Sequence, residues 1–147
     1  MPHSHTSNLI HCVFSTRHRR SLIPEELQPK LWAYFFGIAS NHSIQLLSAG
    51  GIDNHAHLLF ALPATLSLSE AVKKLKANSS RWMGEQGINF EWQEGYSAFS
   101  VSPPNAGAVK AYIARQSEHH KKRSFEEEFA ELLGKCGVEF VAERDLG

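Results

Sequence analysis

The stretch HSHTSNLIHCVFST alternates. Leu9, His11 and Val13 fall on one side and Ile10, Cys12 and Phe14 on the other, which is the period of a β-strand. In PEELQPKLWAYFFGIAS the period changes: Leu27, Leu31, Phe35 and Ile38 recur near one helical face. Pro29 lies inside that pattern, so the helix either begins close to it or is irregular before it. SIQLLSAG reads as a second strand. Gly50, Gly51, Asp53 and Asn54 are turn formers, and HAHLLFAL returns as a third strand, so the two form a hairpin. SLSEAVKKLKANSSRWM is helical, with Ser67 and Glu70 spaced as a capping box and Leu68, Val72, Leu75 and Trp82 as its apolar stripe. GYSAFSVS is a fourth strand. Pro103, Pro104 and Asn105 open a third helix, expected to run to about Lys122, and FEEEFAELLGK is a shorter terminal helix.

The order is strand, helix, strand, strand, helix, strand, helix, helix. Its first six elements are those of the split βαβ, or ferredoxin-like, α+β fold: an antiparallel sheet with two helices on one face. The expected organisation is one domain over 1–147: a core over 1–102, an added helix over 103–123 and an acidic tail over 124–147. The added helix is not needed by the fold and asks for a reason of its own.

Composition changes the picture in two places. The 147 residues suffice for a single core, and no apolar run is long enough for a membrane helix. The N-terminal residues do not read as a secretory signal, and Cys12 and Cys136 are far apart with no CxxC pair, so a reduced, cytoplasmic protein is expected. The zero net charge hides an asymmetry. Residues 1–125 carry 13 Lys+Arg against 8 Asp+Glu, a net of +5, and residues 126–147 carry 2 against 7, a net of −5. A basic body suits a polyanion, although a mixed surface with a solvated tail gives the same totals.

Alternation along a strand puts His55 and His57 on one face, with the spacing for two imidazoles to hold one metal ion. Alone, the pair describes surface or hydrogen-bonded histidines better than a metal site. In the added helix, AVKAYIARQSEHHKKRSF, Tyr112 and Gln116 are four apart and share a face. Gln116 offers a carbonyl oxygen that suits magnesium or manganese, and Tyr112 offers a phenol. Both also fit an ordinary amphipathic helix. His119 and His120 follow as rival ligands or phosphate contacts. Three basic clusters are candidate phosphate contacts: Arg17, Arg19 and Arg20; Lys73, Lys74 and Lys76 with Arg81; and Lys121, Lys122 and Arg123. With Trp82 and Trp92 nearby, they suit single-stranded nucleic acid, where bases stack on aromatic rings.

Together these segments resemble the single-tyrosine HUH transposases of small bacterial insertion sequences and the related repeat-associated tyrosine transposases. HUH denotes His-hydrophobic-His, here His55-Ala56-His57. LIHCVFSTRHRRSLI is similar to that family's first strand and basic segment, DNHAHLLF to its metal-binding strand, EWQEGYSAFSVS to its last strand, and VKAYIARQSEHHKK to its tyrosine helix. The resemblance implies His55, His57 and Gln116 as ligands of a divalent ion, magnesium or manganese, and Tyr112 as the nucleophile. It implies cleavage and rejoining of single-stranded DNA at hairpin-flanked ends through a 5′-phosphotyrosine link. It also implies a homodimer, with sites shared between chains through the connection SVSPPNAG, and a nucleoid-associated location. A domesticated relative acting on chromosomal hairpin repeats, or a non-catalytic hairpin-binding module, would carry much of the same pattern.

Overall fold

The structure, a computed structural model, describes residues 5–119 and 124–135. Strand β1 is Leu9–Ser15, helix α1 is Gln28–Asn41, strand β2 is Gln45–Gly51 and strand β3 is His55–Ala61. Helix α2 is Leu68–Glu85, strand β4 is Ser97–Val101, helix α3 is Ala106–Ala114, helix α4 is Gln116–His119 and helix α5 is Phe125–Lys135. The four strands lie in the order β2-β3-β1-β4, every neighbouring pair antiparallel. This is the ferredoxin-like sheet, with β1 and β3 at its centre.

The alternation read from the sequence divides the sheet into two faces. Ile10, Cys12 and Phe14 of β1 join Ala56, Leu58 and Phe60 of β3 in the main core, against Leu31, Phe35 and Ile38 of α1 and Ala71, Val72, Leu75 and Met83 of α2. Burying side chains of this size stabilises by about 1.5–3 kcal/mol each relative to exposure. Helix α1 resolves the problem of Pro29 in both ways at once. A 3₁₀ turn at Glu25–Leu27 precedes it, and the proline occupies its first turn, where no N–H is needed.

Helix α2 starts at Ser67, whose Oγ accepts from the Glu70 N–H at 3.2 Å. The box is not reciprocal, because the Ser67 hydroxyl itself donates to Glu70 Oε1 at 2.9 Å. The hairpin turn is narrower than expected. Gly50 and Gly51 are the last residues of β2, which leaves Ile52, Asp53 and Asn54 to make the connection.

Two expectations are corrected. The third helix does not run unbroken to Lys122. Arg115 leaves the helical region at φ −102° and ψ 18°, its N–H donates to the Tyr112 carbonyl, and α4 begins afresh at Gln116. The aromatic residues proposed to stack on bases are used by the fold. Trp92 is buried, edge-on to Phe14 at 4.7 Å, with its Nε1 donating to Ser79 Oγ at 2.9 Å. Trp82 is half-buried and stacked on Tyr34 at 4.9 Å.

Helix α3 lies on the other side of the sheet, against β2 and β3. No described helix is long and apolar enough to cross a membrane.

Candidate metal and nucleophile site

On the face turned away from the main core, the sheet presents polar rings where apolar groups would be expected. His55 and His57 are fully buried and His11 is 4% exposed. Burying such groups is unfavourable unless each finds a partner. The partners come from the added helices. His55 Nε2 lies 3.2 Å from Gln116 Oε1 and 3.6 Å from Glu128 Oε1. His57 Nε2 lies 3.1 Å from the same carboxylate oxygen. Gln116 and Glu128 are themselves 1% and 4% exposed.

Ligand atoms of His55, His57 and Glu128 all lie within 4.8 Å of one another. Two imidazole nitrogens, a carboxylate oxygen and an amide oxygen suit a divalent ion. One further observation fits such an ion: the Gln116 side-chain amide is buried, and among the described residues its Nε2 meets no acceptor. An amide held that way is placed for its oxygen rather than for its nitrogen. Two nitrogens on the far sides of the rings are also engaged. His55 Nδ1 is 2.8 Å from Asn54 Oδ1, and His57 Nδ1 is 2.9 Å from His11 Nε2. Burial first, then the neighbouring His57, pushes the His11 imidazole down to about 3, against an opposing pull from Glu128. His11 is therefore a neutral ring.

Tyr112 stands beside these rings. Its centroid is 5.7 Å from that of His57 and 6.2 Å from that of His11, both edge-on. It also lines a cavity of about 400 Å³ with His11, Phe99, Val109 and Leu132. Within the single chain, Tyr112 and His57 are thus in ring contact.

The basic residues divide into groups. Asn54, which holds His55, also donates through Nδ2 to the Arg19 carbonyl at 3.4 Å, and Thr16 Oγ1 donates to the Arg20 carbonyl at 2.6 Å. These bonds tie the Arg17–Arg20 turn to the end of β3 that carries the histidines. Arg17 makes an exposed ion pair with Glu91 at 2.7 Å. Helix α2 packs on the opposite face, so Lys73, Lys74 and Arg81 are remote from the histidines. Lys73 and Arg81 are exposed there. Lys76 is occupied internally: its Nζ donates to the carbonyls of Gln93 at 2.6 Å and Gly95 at 2.9 Å. Lys121, Lys122, Arg123 and His120 lie outside the described residues, as does Cys136.

Two residues of the site went unread in the sequence, His11 and Glu128. His11 is a polar residue on the inner side of an alternating strand. Glu128 is an acid four residues before Leu132 in an amphipathic helix. Each is a weak signal until a partner from elsewhere in the chain gives it meaning.

The sequence model of the family described as "Transposase IS200 like" matches residues 4–116. The transposase for insertion sequence element IS200 of Salmonella typhimurium is 25% identical over 129 residues, covering 82% of this chain and 84% of that protein. The same figures hold for the IS200 transposase of Salmonella typhi. Among solved structures, a candidate transposase from Deinococcus radiodurans R1 superposes with a TM-score of 0.61 at 20% identity, over 79% of this chain and 96% of that one. A REP-associated tyrosine transposase bound to a REP hairpin gives 0.59 at 13% identity, over 82% of this chain and 74% of that one.

Proposed function

This chain belongs to the IS200-like transposase family, and from that premise we propose that it cuts and rejoins single-stranded DNA with Tyr112 as nucleophile and a divalent metal ion, magnesium or manganese, held by His55, His57, Gln116 and Glu128. The observation that carries the reading is the convergence of the His55, His57 and Glu128 ligand atoms within 4.8 Å, beside the ring of a tyrosine.

His55, His57, Gln116 and Glu128 would hold the ion, which would supply positive charge to the phosphodiester. One carboxylate among three neutral donors leaves a dication with net positive charge, as a phosphodiester requires. The Tyr112 oxygen gives up its proton and bonds to phosphorus while the bond to the 3′ oxygen breaks. The 3′ oxygen takes up a proton, and the products are a 5′-phosphotyrosine and a free 3′-hydroxyl. A phenol with a reference pKa of about 10 needs this cationic setting to react near neutral pH. Because the phosphotyrosine keeps the phosphodiester energy, the reverse attack by another 3′-hydroxyl rejoins strands without ATP.

The Arg17–Arg20 turn, linked to His55 through Asn54, is proposed to contact the backbone near the cut. The exposed cations of α2 contact a more distant part of the DNA. We include hairpins in the substrate, because the solved REP-associated relative is bound to one, and a homodimer, since joining two ends needs two nucleophiles. Action on DNA implies a location with the nucleoid.

The test is incubation with labelled single-stranded DNA from the gene's own flanks, with magnesium or manganese. A covalent protein–DNA adduct that survives denaturation and requires the metal is expected. Its absence under every metal and both flanks would refute the reading.

A further inference from the structure

We propose that His11 is a positioning residue, which holds His57 in the tautomer whose Nε2 lone pair faces the donor cluster. The inference rests on the metal reading above.

His57 can bind an ion through Nε2 only when its ring proton is on Nδ1. That proton needs an acceptor, because the ring is fully buried and an unmatched N–H there is costly. The group facing Nδ1 is His11 Nε2, at 2.9 Å. One hydrogen lies on that line. When His57 Nε2 gives its lone pair to a metal, the hydrogen belongs to His57 Nδ1 and His11 accepts it. His11 must then be neutral and carry its own proton on Nδ1.

The fold makes this pairing possible. His57 is paired with Val13 and His11 with Leu59 in the β1–β3 ladder, so the two histidines are diagonal neighbours on one face of the sheet's two central strands. Their rings are 5.1 Å apart and tilted by 30°. His55 is served separately by Asn54. Each histidine of the pair therefore has its own second partner, one an amide from the hairpin turn and one an imidazole from the neighbouring strand. Partners of this kind typically change metal affinity 10–100-fold when removed.

The variants that separate the possibilities are His11→Gln and His11→Leu. Glutamine puts an amide oxygen near the position of the histidine Nε2 and can still accept from His57. Leucine fills a similar volume with no acceptor. Manganese is titrated calorimetrically into the full-length chain and its variants, and circular dichroism melts follow the fold. His11→Leu is expected to lose about 10–100-fold in manganese affinity, and His11→Gln to recover most of it. Equal affinity in His11→Leu and the unaltered chain, with affinity lost in His57→Ala, would overturn the inference and leave the metal site standing. Equal losses in the glutamine and leucine variants would also overturn it, since His11 would then only fill space. If His55→Ala and His57→Ala both bind manganese unchanged, the metal reading itself fails and takes this inference with it.

Discussion

Gly50 of β2 and Ile113 of α3 are in backbone-to-backbone contact: a β carbon on Gly50 would stand 2.5 Å from the Ile113 carbonyl oxygen. Gly50 is opposite His57 in the β2–β3 ladder. The absence of a side chain there lets the helix carrying Tyr112 lie directly over the histidine strand. Glycine serves close approach here, because its φ is not one that excludes other residues.

Gly50→Ala is therefore expected to lift α3 from the sheet while leaving the core between the sheet and α1 and α2 intact. Overpacking of this kind costs about 1–3 kcal/mol. The larger effect falls on the chemistry, where a displacement of about 1 Å lowers the rate roughly 100-fold. Single-turnover adduct formation checks this, with a thermal melt to confirm folding. An unchanged rate would show that α3 docks elsewhere when DNA is bound.

Tyr112→Phe removes one oxygen and keeps the ring against His57 and His11. Manganese affinity and DNA binding should match the unaltered chain, and the covalent adduct should vanish on a denaturing gel. An adduct that persists would move the nucleophile to another residue, with Tyr34 and Tyr96 next to be examined. Tyr34 is stacked on Trp82 in the opposite layer, and Tyr96 is exposed just before β4.

The two helical donors should differ in weight. Glu128 contributes a negative charge and lies within 3.6 Å of both histidine Nε2 atoms. Gln116 contributes a neutral amide near His55 alone. Glu128→Gln is expected to weaken manganese binding more than Gln116→Ala does, and His55→Ala and His57→Ala more than either. Calorimetric titration ranks the four. A Glu128→Gln chain that binds as tightly as the original would mean that α5 leaves the site when the ion enters.

What the sequence made legible follows from range. Leu31, Phe35 and Ile38 repeat within one helix, and His55 and His57 alternate within one strand, so their shared faces are set by a few consecutive residues. The element order and sheet followed from those local periods. The completed site depends on pairs much further apart: His11 and His57 are separated by 46 residues, His55 and Gln116 by 61, and His57 and Glu128 by 71. No period reports such contacts. The break at Arg115 was hidden for another reason: AVKAYIARQSEHH contains no Gly or Pro, so no breaker marks the place where α4 begins afresh. Trp92 misled because a tryptophan near lysines suits a base-stacking surface and a buried core equally well in sequence. Its hydrogen bond to Ser79 decides between them.

The basic residues of α2 give a prediction with two signs. Lys73 is exposed on the helix and Lys74 half-buried, and each contact with a phosphate contributes a slope of about 0.7–0.9 in log affinity against log salt, the lower value for single strands. Lys73→Ala and Lys74→Ala should each flatten that slope by about this amount and leave the melting temperature alone. Lys76→Ala should do the reverse. It removes the donor to the Gln93 and Gly95 carbonyls, at a cost of about 1.5 kcal/mol, and lowers the melting temperature with little effect on the slope. A Lys76 variant that flattens the slope at unchanged stability would return that residue to the DNA surface.

The last prediction concerns which chain supplies the tyrosine. The proposed joining of two ends uses two nucleophiles, and resemblance to the HUH transposases implies that each site borrows its tyrosine from the partner. In this chain the connection after β4 is short. Pro103–Asn105 forms a 3₁₀ turn that leads directly into α3, and α3 packs on the strands of its own sheet. Gln116 and Glu128 also reach the histidines of the same chain. Exchanging the tyrosine would require breaking the Gly50–Ile113 contact and both of these contacts together before they re-form on the partner. Each chain is therefore expected to keep its own Tyr112. A His55→Ala/His57→Ala chain mixed with a Tyr112→Phe chain, under conditions that allow subunits to exchange, should yield no adduct, because neither partner supplies a site with all its parts. Recovery of cleavage in the mixture would show that α3 crosses between chains when DNA is engaged, and that the packing on β2 is a resting arrangement.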